Sequence, residues 1–190
     1  MRQRELVIHD AVMQMLAIEE SFDRALTNQI DDFEASNPDT VLHLKYVATF
    51  VTAHLAQLRE LEERNETFAG RLGSGFRRAG SMLAGFGGSA VGFVRNETLP
   101  DQLRRDCGMA SLVYAGYRSL FTTASALRDG AVCRLAAEFL ADYARITLIL
   151  QDLLPDAVVT QLETDGLRLE GPAIRSRNSN RIEGVPVHAG

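Results

Sequence analysis

Three polar residues stand where the surrounding pattern calls for apolar ones: Glu19, His54 and Asp142. Glu19 lies between Met15 and Phe22, His54 between Val51 and Leu58, and Asp142 at the edge of a stripe beside Tyr143. Carboxylate oxygens and an imidazole nitrogen gathered from different helices are the ligand types that hold iron or another transition metal. The same residues also suit a structural role, with Glu19 bonded to His54 or to a tyrosine hydroxyl inside a core. Tyr114, Tyr117 and Asp106 face the same way in a later segment, and His43 lies near the face that carries His54. A two-iron centre built on helices requires Glu-x-x-His pairs, whose spacing aims both side chains at one point. No glutamate here lies three residues before a histidine.

Other chemistry finds less support. There is no Gly-x-Ser-x-Gly elbow, and Cys107 has no neighbour that would activate a thiol. Cys107 and Cys133 are too far apart for a zinc knuckle, and they read as free, small apolar residues. His9 and His188, near the chain ends, read as surface residues.

Four long amphipathic segments must position these groups. The first, from about residue 4 to 33, places Ile8, Ala11, Met15, Ile18, Phe22, Leu26, Ile30 and Phe33 on one face at about 100° per residue. A turn containing Asn37-Pro38 follows, with Asp39 or Thr40 as cap of the next helix. That helix, from about residue 41 to 68, carries Leu44, Val47, Phe50, Val51, Leu58 and Leu61. Residues 70–94 hold eight glycines among phenylalanines and read as a long crossover. A phosphate-binding loop is disfavoured there, because no strand precedes it and no lysine follows. The third helix opens at Leu99-Pro100-Asp101 and shows Leu103, Ala110, Val113, Tyr114, Tyr117, Phe121 and Ala124 on one face.

After the break at Arg128-Asp129-Gly130, the fourth helix runs to about residue 154 with Val132, Leu135, Phe139, Tyr143, Ile146, Leu150 and Leu153 inward. Pro155 then predicts a separate short helix over 156–163. The expected architecture is an all-α, ferritin-like four-helix bundle over residues 1–166 with one long crossover connection. Residues 167–190 are expected to form a tail that is loosely ordered or laid over another subunit.

Composition narrows the function classes. The net charge is -5 and Lys45 is the only lysine, so there is no basic footprint for nucleic acid. No run of about 20 apolar residues suggests a membrane span. The charged N-terminal stretch lacks the apolar region of a signal peptide, so a cytoplasmic location is expected.

Three stretches also carry a family resemblance: Leu16-Ala17-Ile18-Glu19-Glu20, Thr52 to Glu62, and Tyr114-Ala115-Gly116-Tyr117 followed by Leu140 to Ala144. With Leu154-Pro155-Asp156, they resemble the YciE/YciF-type bacterial ferritin-like proteins over roughly residues 5–166. The resemblance implies a ferritin-like fold, often a homodimer, linked to stress responses, with metal binding in some members. By position Glu19 matches the first-helix carboxylate and His54 the second-helix histidine. Where further ligands would stand, this chain has Val51, Val113 and Arg145. The expected role is therefore a non-enzymatic bundle acting through self-association or a protein partner, without a cofactor. The alternative is an iron-binding oxidoreductase or iron-handling protein using Glu19, His54 and Asp142.

Overall fold

A computed structural model describes residues 2–69 and 97–170. These form four α-helices: α1 (Arg2–Phe33), α2 (Pro38–Ala69), α3 (Leu99–Ala126) and α4 (Gly130–Thr164). The glycine-rich segment 70–94, the tail beyond residue 170, and His188 lie outside the described residues.

Each helix buries one stripe. Val12, Phe22 and Leu26 of α1 meet Leu44, Val47, Val51 and Leu58 of α2, and all are fully enclosed. Leu103, Val113 and Tyr117 of α3, with Phe139, Tyr143, Ile146 and Leu150 of α4, complete the single core. A fully buried aliphatic or aromatic side chain contributes about 1.5–3 kcal/mol. This shared burial, more than intrinsic helix propensity, holds the four helices together.

The pairings fix the directions. Lys45 bonds Glu34 and Arg59 bonds Glu20, so α1 and α2 are antiparallel. Tyr117 reaches Glu19, while Asp106 lies by Gln29, so α3 also runs against α1. The tight turn before Gly130 makes α3 and α4 antiparallel. In cross-section the order is α1, α2, α4, α3, each helix touching two neighbours. Consequently α2 and α3 run the same way, and the end of α2 and the start of α3 lie at opposite ends of the bundle.

Several expectations are corrected. α2 begins at Pro38, so Asp39 falls in its first turn and is not the cap. Proline suits that position because its missing N–H would be unbonded there anyway. α4 does not stop at residue 154; it continues through Pro155 to Thr164, and no separate short helix exists. Pro155 has no N–H to give the Gln151 carbonyl, and Gln151 lies on the exposed face of the helix. In α3 the buried residue is Leu120, while Phe121 is exposed; in α4 it is Ala136, with Leu135 at the margin. His9 is half-buried, and its Nδ1 is enclosed without a partner.

Between α3 and α4, Arg128 takes a left-handed φ of 57°, and the Asp129 carboxylate accepts a bond from the Val132 N–H at 3.1 Å. Gly166, at φ 76°, ends α4 in the conformation glycine adopts without strain.

Candidate functional site

The helix stripes bring Glu19, His54 and Asp142 together, one from each of α1, α2 and α4. Glu19 is fully buried, His54 is 1% exposed, and the Asp142 side chain retains 28% exposure. His54 sits between the two carboxylates. Its Nδ1 faces Oε1 of Glu19 at 3.2 Å, and its Nε2 faces Oδ2 of Asp142 at 3.3 Å.

Two tyrosines close the cluster. The Tyr117 hydroxyl donates to Oε1 of Glu19 at 2.7 Å, and the Tyr143 hydroxyl donates to Oε2 at 2.6 Å. Glu19 thus touches polar groups from all three other helices. Burial, and then the Glu19 carboxylate beside them, push both phenols well above their usual range, so they remain protonated donors. Bonds of this kind to a charged acceptor contribute about 1.5–3 kcal/mol each. A carboxylate stripped of them inside the core would cost several kcal/mol.

Aromatic rings orient the imidazole. Phe139 stacks on His54 with ring centres 3.9 Å apart and planes inclined by 28°. Tyr117 meets Phe139 edge to face at 5.2 Å. Phe139 was visible in the sequence only as a core residue. Its place four residues before Tyr143, one turn away on the same face, is the signal that it lies beside the polar cluster.

Proton counting constrains the chemistry. A neutral imidazole offers one N–H and one lone pair, yet both nitrogens of His54 face carboxylate oxygens. A neutral ring therefore donates to one of the two carboxylates and turns a lone pair to the other, and only a doubly protonated ring donates to both.

The other residues singled out from the sequence stay apart from this cluster. His43 bonds through Nδ1 to the Asp39 carbonyl of its own helix at 2.8 Å. Tyr114 packs at the margin of the core. Asp106 is buried, about three turns along α3 from Tyr117. Cys107 and Cys133 are free, and burial pushes the Cys107 thiol up, which makes it a poorer nucleophile.

No family model, curated protein or solved structure matches the chain. Among the described residues no group of three or more His, Cys, Asp or Glu side chains is arranged to hold a metal ion. At the cluster the reason is geometric: Glu19 and Asp142 approach His54 from opposite edges of its ring. They share a histidine between them and do not converge on a common point.

Proposed function

We propose that this protein is a ferritin-like bundle whose centre is a closed hydrogen-bonded core, and that it acts without catalysis through self-association or a protein partner. The carrying observation is Glu19, whose two oxygens are taken by Tyr117, Tyr143 and His54. Helix order and direction support the ferritin-like reading: two antiparallel hairpins, with α2 and α3 parallel, need one connection running from end to end of the bundle. The donor set does not fit a two-metal centre, having one histidine and two carboxylates with Val51, Val113 and Arg145 at the further positions.

Self-association as a homodimer rests on the family resemblance; Leu42 and Leu148, 61% and 62% exposed, are single apolar residues on α2 and α4 of the kind most surfaces carry. A cytoplasmic, stress-related setting completes the reading, resting on the family resemblance alone.

One observation favours an iron-handling alternative: Glu19, His54 and Asp142 do meet at the bundle's centre, and Asp142 reaches solvent. Elemental analysis of tag-free protein separates the two readings. The structural reading expects no stoichiometric metal, with Glu19→Ala and His54→Ala lowering stability. A stoichiometric transition metal lost in both variants would overturn it in favour of iron handling. Light scattering should give a dimer; a monomer at high concentration would remove self-association.

A further inference from the structure

Only His9, Asp10 and Gln14 interrupt residues 6–18 of α1, so the first half of that helix is apolar nearly all round. A helix with two neighbours needs one apolar stripe, whereas one that is apolar all round is covered on every side. Burial agrees with the composition. Leu6, Asp10, Met13, Gln14, Ala17 and Ser21 project away from the core at about 100° per residue, and all six are half-buried. Outward positions on the other helices are exposed, as at Thr49 and Ala53 of α2, Ser111 and Ala115 of α3, and Ala141 and Leu148 of α4. On α1 itself they become exposed from Arg24 onward. Helices α2 and α3 flank α1, and no described helix lies on its outer side. The cover over residues 6–21 is therefore chain outside the described residues.

We propose that residues 70–96 pass outside α1 and dock on the face formed by Leu6, Met13 and Ala17. Helices α2 and α3 stand at opposite corners of the ring, with α1 and α4 between them. Connections do not thread a packed core, so this one passes outside α1 or outside α4. The outer face of α4 is open, with Leu148 62% exposed, and that of α1 is covered.

Chain position selects this segment over the tail. The Arg59–Glu20 and Lys45–Glu34 pairs set the end of α2 level with about residue 10 of α1, so residue 70 starts beside the covered stretch. Helix α4 runs the same way as α1, so the tail beyond residue 170 leaves at the other end of the bundle, by the exposed end of α1. Length allows the docking. The start of α3 lies about 40 Å along the bundle from the end of α2, and residues 70–96 would reach about 90 Å if fully extended. The segment has slack to pack against α1 as it crosses. Its composition suits an apolar face: Phe76, Met82, Leu83 and Phe86 offer surface to Leu6 and Met13, and its glycines let backbone approach Ala17 closely. Residues 171–190 contain no aromatic side chain.

Paramagnetic broadening of amide signals tests this, with a nitroxide on Arg24→Cys, at the border of the covered face, or on Ala141→Cys, on α4. Both positions are exposed, and Cys107 and Cys133 are replaced by alanine so that only the new thiol is labelled. Signals of residues 70–96 should broaden with the label at position 24 and be spared with it at 141. The reverse pattern, or no difference between the two labels, would overturn the proposal. So would broadening of residues 171–190 in place of 70–96, which assigns the cover to the tail. Broadening that appears only between labelled and unlabelled copies in a mixture would assign it to a second copy. Should the cysteine-free background fail to fold, trypsin acting on the chain with its native cysteines decides. Ala17→Arg should speed cleavage at Arg77 and Arg78 by roughly tenfold or more, because cleavage tracks the undocked population, and Ala141→Arg should leave it unchanged. Equal rates in the two variants would refute docking on α1.

Discussion

Replacing Asp106 by Asn should convert a pH-dependent bundle into a flatter one. The Asp106 carboxyl is raised from 3.8 to about 7, chiefly because burial disfavours its charged form. Between those two values the folded protein holds a proton that the unfolded chain has released. Stability therefore falls as pH climbs from about 4 to 7, and the full penalty is present above that range. Each pKa unit corresponds to about 1.4 kcal/mol, so the rise amounts to at most about 4 kcal/mol. Asn keeps the shape and stays neutral, so Asp106→Asn should match wild type near pH 4 and exceed it by up to about 4 kcal/mol at pH 8. For a chain of this size that is on the order of 10 °C in Tm.

The assay is thermal and urea unfolding followed by far-ultraviolet circular dichroism between pH 4 and 8.5. The difference between variant and wild type is the quantity to read, because other carboxylates titrate alike in both. Parallel profiles with a constant offset would refute the reasoning. A variant less stable at pH 8 would show that Asp106 is stabilised as an anion.

Four further outcomes follow from the same physics. Tyr143→Phe removes one short bond to the buried Glu19 carboxylate and should cost about 1.5–3 kcal/mol; in the Glu19→Gln background, double-mutant unfolding should return a smaller cost. Asp129→Ala removes the cap on Val132 and should lower urea-unfolding stability by about 1 kcal/mol. Gly108, exposed within α3 with open space where a Cβ would go, should gain about 0.5–1 kcal/mol as alanine in the same assay. Gly116→Ala should gain less, because its Cβ would come within 2.6 Å of the Met15 sulfur, which must move aside.

The helices and the polar centre were legible because period and exception coincided. Glu19 and His54 interrupt strongly apolar stripes, and an interruption at helical phase points inward. That both tyrosines donate to the same carboxylate was not legible, since it depends on how far each helix is slid against the others. Gln29 was missed for a related reason. The idealised stripe selects Ile30, whereas packing against α3 turns Gln29 inward, and one residue is a rotation of about 100°. The same drift exchanges Phe121 for Leu120. Pro155 misled because local backbone preference argues for a stop, while continuous burial of Leu153 and Ala157 carries α4 past it.

The shared direction of α2 and α3 has an electrical consequence. Every neighbouring pair in the ring is antiparallel, so the four macrodipoles lie head to tail beside one another and largely cancel. Each end of the bundle gathers two helix N-termini and two C-termini, arranged as a quadrupole with no net pole. Neither end therefore draws anions or cations by its backbone. The field at the ends is written by side chains, among them Asp39 in the first turn of α2 and the Asp101–Arg104 ion pair at the start of α3.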